Sequence, residues 1–303
     1  MNIVNIVKNP RLYLASFFRR MAPYISNDEL YLRIMYYLRL GKVLHLSNPV
    51  SFNEKLQWLK LYDRNPLYTI LVDKYAVKKY VANIIGEEHI IKTIATYDSV
   101  EDIDWNALPK QFVLKCTHDS GGIVVCKDKT KLDFSVSTKK LAECLRTSYY
   151  PYNREWPYKD VPRRIIAEQY MEDTKTAELR DYKFFCFNGE PKALFIASDR
   201  MSRDEETKFD FFDMDFNHLP FRNGHPNATV LPDKPLCFEE MKQLAAKLSV
   251  GFPQVRVDFY EVDGKVYFGE MTFFHWSGMT PFEPEEWDYK LGKFIEIKKC
   301  QRR

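Results

Sequence analysis

What the 303-residue chain lacks narrows its function before any motif is read. No apolar run approaches the roughly 20 residues that a bilayer-spanning helix needs, so no transmembrane helix is expected. An excess of one charge sign is missing too: 45 Lys and Arg against 42 Asp and Glu leave +3, too little to mark nucleic acid as the main partner. The six cysteines, at 116, 126, 144, 186, 237 and 300, form no Cys-x-x-Cys pair. Several sit in strand-like apolar runs and read as buried free thiols of a reducing compartment. Six histidines without ligand spacing speak against zinc. Repeats and low-complexity segments are absent. The first 24 residues mix Phe17 and Phe18 with Lys8, Arg11, Arg19 and Arg20, and the charges interrupt any signal-peptide core. They read as a packed helix, with a weak interfacial helix as the alternative. The expected location is the cytoplasm, with peripheral contact at the inner face of the membrane as its one extension.

What is present is a globular composition, 45% hydrophobic and 29% charged, long enough for one large domain or two smaller ones. Residues 1 to about 90 read as a helical region. Ser26 and Glu29 suggest a capping box before a helix that stops at Gly41, and Ser51 and Glu54 repeat the device. A third helix is expected from an Asn65 cap and Pro66 through to Gly86. From 91 to 303 the pattern turns to strands: 112–115, 123–126, 164–170, and a hairpin of 182–187 with 193–197 about Asn188-Gly189. An amphipathic helix is expected over 239–248. Antiparallel hairpins with few helices between them point to an α+β domain rather than a doubly wound one.

The most informative hairpin spans residues 255–272. Val255, Val257 and Phe259 alternate with Arg256, Asp258 and Tyr260, and Tyr267, Gly269 and Met271 alternate with Phe268, Glu270 and Thr272. The patterns agree if the loop is odd, Val262-Asp263-Gly264 with Gly264 at a left-handed bulge position. Val257 then faces Gly269, Phe259 faces Tyr267 and Arg256 faces Glu270. Asp258 and Glu270 become diagonal neighbours roughly 7–8 Å apart on one face. A two-residue Asp-Gly turn would place them on opposite faces. Two carboxylates so placed suit Mg²⁺, which takes one or two from a protein and completes its shell with water and phosphate. The competing reading is a solvated strand face.

Three further elements carry candidate chemistry. Lys115 ends an apolar strand and leads into Thr117-His118-Asp119-Ser120-Gly121-Gly122, where small residues let backbone amides approach phosphate, as a triphosphate lid does, or simply turn a hairpin. Glu168 follows Ile165-Ile166-Ala167 and precedes Met171; such an edge can hold an adenine amino group, with Met171 as apolar wall, or be an ordinary strand end. Lys183 lies among aromatics, either reaching outward or contacting phosphate.

The order of these pieces, strand with Lys, Gly loop, strand ending in Glu, strand with Lys, then an Asp/Glu hairpin, resembles the ATP-grasp family. More closely, the chain is similar to the TupA-like ATP-grasp proteins of bacterial surface-polysaccharide gene clusters. Ser51-Phe52-Asn53-Glu54-Lys55-Leu56-Gln57-Trp58 through Tyr68, Asp73-Lys74-Tyr75, Leu179-Arg180-Asp181-Tyr182-Lys183 through Gly189, and Gly269-Glu270-Met271-Thr272 carry the match, over roughly residues 25 to 295. The resemblance implies an ATP-grasp fold of two β-rich subdomains clasping ATP, preceded here by helices where typical members carry a Rossmann-like domain. It implies phosphate contacts from Lys115, Lys183 and the Ser120-Gly121-Gly122 loop, and adenine contacts from Glu168 and the Met171 backbone. Asp258 and Glu270 would bind Mg²⁺, with Thr272 where many members have Asn.

The implied chemistry joins a carboxylate to an amine through an acylphosphate, because phosphorylation turns a carboxylate oxygen into a leaving group. Arg256 would steady the acylphosphate or its precursor, or form a salt bridge to Glu270. His275, Ser277, Gly278 and His118 are candidates for acceptor binding. The expected substrates are an amino acid or amine and a uronic acid of a surface saccharide or lipid-linked precursor, with no nucleic acid. One alternative is a glycosyltransferase: Asp213-Met214-Asp215 has the metal spacing, although no βαβ pattern surrounds it. The other is a non-catalytic nucleotide-binding scaffold, which Thr272 keeps open.

Overall fold

Capping chemistry sets the first elements of the structure, a computed structural model that describes residues 10–119, 121–174, 179–198 and 206–297. Helix α1 (Pro10–Arg20) precedes α2 (Asp28–Leu40). The cap of α2 is Asn27, whose side chain accepts from the Leu30 amide, and not Ser26; Glu29 reaches forward to Arg33 instead. Gly41 closes α2 with φ of 74°, in the left-handed region. Helix α3 (Phe52–Tyr62) has the expected box, with Ser51 accepting from the Glu54 amide and Glu54 accepting from the Ser51 amide.

The single third helix of the sequence reading is two. Asn65 accepts from the Leu67 amide at the start of α4 (Leu67–Val72), and α5 (Ala76–Ile85) runs to Gly86. Between them the Asp73 carboxylate takes the amides of Tyr75 and Ala76 on one oxygen and Arg164 on the other. A side chain that competes for backbone donors ends a helix and starts the next.

The described strands form a two-stranded pair and two larger antiparallel sheets. The smaller has the order β1-β4-β2-β3, from β1 (Thr93–Tyr97), β2 (Phe112–Cys116), β3 (Ile123–Cys126) and β4 (Ile165–Gln169). Helix α6 (Phe134–Arg146) packs on it and α7 (Tyr150–Asn153) follows. The larger sheet begins with β5 (Asp181–Phe187), β6 (Glu190–Ser198), β7 (Lys208–Phe212) and β8 (His218–Leu219). After β9 (Arg222–Asn223) and α8 (Phe238–Leu248) it is completed by β10 (Val255–Val262) and β11 (Lys265–Thr272), in the order β11-β10-β5-β6-β7-β8. Strand β12 (Phe282–Glu283) pairs with β9, and α9 (Glu286–Gly292) closes the described chain.

One core holds α3, α4 and α5 together with the larger sheet: Phe52, Leu56, Tyr68 and Val81 are buried in the same cluster as Phe184, Phe185, Phe195 and Phe259. Each such side chain contributes about 1.5–3 kcal/mol by leaving water. Helices α1 and α2 have a smaller core of their own around Tyr31, Leu32 and Tyr36.

The β10–β11 hairpin departs from the expected register. Its turn is the two-residue Asp263-Gly264, with φ of 50° and 75°, the mirror-image turn that matches strand twist. Parity is restored within the strand: pairing skips Gly269, so Asp258 faces Glu270 directly and Arg256 faces Thr272, not Glu270. Gly269 is the extra residue of a β-bulge. A Cβ there would lie 3.1 Å from the Asp258 carbonyl oxygen and 3.2 Å from the Tyr260 ring.

Candidate active site

Three neighbouring strands put one row of charge on the larger sheet. Asp258 on β10 is paired with Lys183 on β5 and with Glu270 on β11, so their side chains share a face. Asp258 is fully buried. Lys183 bonds to it and lies 3.3 Å from Asp181. Arg256, two residues along the same face, donates from Nε to Asp258 Oδ1 (2.7 Å) and from Nη2 to Asp258 Oδ2 (2.8 Å). That Nη2 also donates to Glu270 Oε1 (2.9 Å) and Thr272 Oγ1 (3.0 Å). One positive nitrogen therefore sits among oxygens of Asp258, Glu270 and Thr272, the three residues singled out for a cation. Burial opposes ionisation of Glu270, but Lys183, Arg256 and Lys74 outweigh it and hold its carboxyl at about 2.

His275 supports this row from behind. Burial, then Arg256 and Lys183, hold its ring well below the usual histidine range, so it is neutral. Its Nδ1 accepts from Arg256 Nη1 (2.9 Å), and Nε2 donates to Asn223 Oδ1 (2.8 Å), which fixes the tautomer. Both nitrogens are engaged in holding Arg256.

The turn after β11 has Trp276, Ser277 and Gly278 in succession at φ of 47°, 57° and 58°. Two non-glycine residues in the left-handed region are costly, and α3 supplies the restraint. Gln57 Nε2 donates to the carbonyls of Ser277 (3.0 Å) and Gly278 (2.9 Å). Lys60 donates to Ser277 at both its carbonyl (2.8 Å) and its hydroxyl (2.6 Å). Gln57 and Lys60 are buried for this reason, and Asn53 donates to the Thr280 carbonyl just beyond (3.0 Å), which accounts for polar residues on the inner face of α3. Gly278 is required here because a Cβ would fall 2.5 Å from the Gln57 amide nitrogen. Ser277 and Gly278 thus anchor the turn to α3.

Opposite the charged row, the smaller sheet and α5 present Glu168, Lys115 and Lys78. Glu168 is buried, with Lys115 Nζ 2.6 Å from one oxygen and Lys78 on the other. Burial alone would raise its carboxyl, but Lys115 and Lys78 bring it below the ordinary range. Between the sheets lies a cavity of about 340 Å³ lined by Lys74, Lys78, Lys115, Lys183 and Arg256 against Glu168, Asp181 and Glu270, with Ile90, Ile123 and Phe268 as apolar wall. A second cavity of about 400 Å³ shares Lys74, Arg256, Gly269, Glu270 and Trp276 with the first and extends to α1 and α2.

Lys115, Glu168, Lys183, Arg256, Glu270 and His275 meet at the first cavity, and Thr272 and Ser277 line the second. Other candidates lie elsewhere. The buried His118 turns its Nε2 toward the carbonyls of Cys144 (3.2 Å) and Thr147 (3.3 Å) at the end of α6. The Gly122 amide donates to the Asp119 carboxylate (3.1 Å), and a Cβ at Gly122 would meet Cys116 at 2.8 Å, so this glycine lets two strands close up. Gly121 has open space around it, and Ser120 falls outside the described residues. Met171, half-buried two residues past β4, lines neither cavity. Asp213 spends its oxygens on the amides of Asp215 and Asn217 and the Asn217 side chain, a local turn. Sequence reasoning missed Lys78 and Glu155 entirely, and read Lys74 and Asp181 only as parts of quoted motifs. Cys116, Cys126, Cys144, Cys186 and Cys237 are free thiols, as expected; Cys300 lies outside the described residues.

A model of TupA-like ATPgrasp proteins matches residues 54–296. The chain belongs to the TupA-like ATP-grasp family. No curated protein matches it in sequence. Among solved structures it is similar to D-alanine–D-alanine ligase from Helicobacter pylori, at 14% identity over 82% of this chain and 68% of that one, TM-score 0.44. The ATP-complexed D-alanine–D-alanine ligase from Bacillus anthracis follows at 18% identity, 75% and 65% coverage, TM-score 0.40. L-amino acid ligase from Bacillus licheniformis gives 11%, 84% and 55%, TM-score 0.41. The chain thus spans less than two thirds of two of these three. As a TupA-like ATP-grasp protein it has the ATP-grasp fold, and ATP with Mg²⁺ is the cofactor set that membership implies.

The TupA-like residues fit both. Five cationic side chains against three carboxylates leave the first cavity an excess of positive charge suited to a polyphosphate, beside apolar side chains suited to a base. Asp258, Glu270 and Thr272 offer hard oxygens that already gather around a cationic nitrogen. Among the described residues no group of three or more His, Cys, Asp or Glu could hold a metal. Among the described residues no helix is long and apolar enough to cross a membrane.

Proposed function

We propose that the protein is an ATP-dependent carboxylate–amine ligase that attaches an amino acid or amine to a uronic-acid carboxylate in surface-polysaccharide biosynthesis, acting in the cytoplasm. The observation that carries this reading is the shared wall: Arg256, Glu270 and Lys74 line both cavities, so a carboxylate in one can meet a phosphate in the other. Lys115 and Lys183 would hold phosphates, Glu168 with Ile90, Ile123 and Phe268 the adenine, and Asp258 and Glu270 with Thr272 the Mg²⁺. ATP supplies the phosphoryl group that makes the carboxylate oxygen a leaving group, as an acylphosphate. The chain's own part is position and charge: Arg256, held by Asp258 and His275, would meet the negative charge that grows on the carboxylate.

The test is nucleotide binding by thermal shift, followed by ADP release. Stabilisation by Mg-ATP, with ADP release that requires both a uronic acid and an amine, supports the ligase. Stabilisation by UDP-sugars alone would support the glycosyltransferase. Mg-ATP binding without turnover on any carboxylate and amine tried would leave the nucleotide-binding scaffold.

A further inference from the structure

Resting on the ligase reading, we infer that the second cavity takes a sugar carrying two negative groups, its carboxylate at Arg256 and a second anion at Arg19 and Arg39. Helices α1 and α2 each bring one arginine to this cavity, at the part that the first cavity does not share. Neither forms an ion pair with a carboxylate among the described residues. Their neighbours differ: Arg33 on α2 is 2.8 Å from Glu29, and Arg154 is 3.2 Å from Asp28. Arg19 and Arg39 are both solvent-exposed at the cavity rim; partial burial of the guanidinium, followed by the nearness of Arg19, makes the charge on Arg39 less favourable. An arriving anion removes that penalty and gains charge-assisted hydrogen bonds.

Much of this cavity's lining is aromatic. Tyr31, Tyr149, Tyr152, Tyr158 and Trp276 contribute, and Arg19 lies over the Tyr152 ring at 5.3 Å. Flat rings with polar tips suit the apolar face and the hydroxyls of a pyranose. The buried Glu155 and the half-buried Asn153 and Asp119 add polar wall. A volume of about 400 Å³ admits a monosaccharide with one substituent, free or at the end of a chain. The second anion is thus a phosphate on the sugar's anomeric oxygen or a carboxylate on the adjoining sugar.

The experiment uses the full chain and measures binding of glucuronic acid, glucuronic acid 1-phosphate, UDP-glucuronic acid and a diuronic acid to wild type, R19Q/R39Q and R19K/R39K, with Mg-ATP as control. We expect at least one doubly anionic probe to bind wild type at least 10-fold more tightly than glucuronic acid does. R19Q/R39Q should lose that advantage by about 10-fold, or 1.4 kcal/mol, and R19K/R39K should retain most of it. Mg-ATP binding should be unchanged in both variants, which also shows that they are folded. Preference for the 1-phosphate, UDP-glucuronic acid or the diuronic acid identifies a free glycosyl phosphate, a nucleotide-sugar or a chain end as the source. Equal loss for all probes, no loss for any, or no binding by any doubly anionic probe overturns the inference. Because binding needs no turnover, the two-anion pocket and the ligase reading fail separately: selective binding without ADP release refutes only the ligase, and ADP release with indifference to Arg19 and Arg39 refutes only the pocket.

Discussion

Replacing Arg256 by methionine should cost far more than removing an ordinary surface ion pair. Asp258 has no exposed surface and takes three of its bonds from two cations, two of them from Arg256. Removing one partner of a buried pair leaves an uncompensated charge, at about 3–5 kcal/mol. Glu270 also loses a partner, but its side chain is 44% exposed and water replaces the bond, so it adds little. For a chain of this size the result is a drop in Tm of about 5–8 °C. Arg222 provides the control: it is 2.8 Å from Glu283 with both side chains more than half exposed, and Arg222→Met should shift Tm by about 1–2 °C at most. The assay is thermal and urea unfolding of both variants, with R256M/D258N as the double mutant. The double mutant should be more stable than the sum of its two single changes predicts. Magnesium ions without nucleotide should raise the Tm of R256M more than that of wild type, because the guanidinium no longer stands among Asp258, Glu270 and Thr272. An R256M protein that unfolds within 2 °C of wild type would refute the reasoning.

Glu270 titrates at about 2 in the fold against an ordinary 4.5, so its stabilising contribution is complete above about pH 4.5 and is lost as pH falls toward 2. E270Q should therefore be less stable than wild type near neutrality, with a gap that closes over that window in urea titrations. E168Q leaves Lys78 and Lys115 facing a neutral amide and should lose about 1–3 kcal/mol, read as a lower urea midpoint. Gly269→Ala forces a Cβ against the Asp258 carbonyl and should cost about 1–2 kcal/mol while reducing Mg-ATP stabilisation in thermal shift. Ser51→Ala removes a helix cap and should cost about 1 kcal/mol without changing nucleotide binding.

The sequence announced what depends on near neighbours. Alternation placed β10 and β11, Asn188-Gly189 placed a turn that has φ of 47° and 89°, and Ser51 with Glu54 placed the start of α3. The register of the β10–β11 hairpin was misread because two shapes keep both carboxylates on one face: an odd loop, or a two-residue turn with a bulge. Local alternation cannot separate them, although an isolated glycine within a strand, Gly269, is the usual mark of a bulge. The break at Asp73 comes from a local signal that went unread, an Asp taking the amides two and three residues on; Arg164, 91 positions away, holds its other oxygen. Lys78 and Glu155 come from elements outside the charged hairpins and reach the cavities only through tertiary packing. His275 and Ser277 were read as acceptor contacts because reactive side chains near a metal strand invite it. Their bonds to Arg256 and Lys60 make them struts.

The core common to α3, α4, α5 and the larger sheet has a consequence for how such proteins diversify. Phe52 meets Phe185 edge-on at 6.0 Å, and Gly292 lies so close to Phe52 that any side chain there would strike its backbone nitrogen at 2.7 Å. A module grafted in place of these helices would have to reproduce their inner faces, or the sheet would be left wet on one side. Truncation before residue 90 should therefore yield aggregation, not a minimal enzyme. Evolution of a new acceptor preference has its freest ground in α1 and α2, whose smaller separate cluster around Tyr31 and Leu32 can be rebuilt without disturbing the strands that hold Arg256.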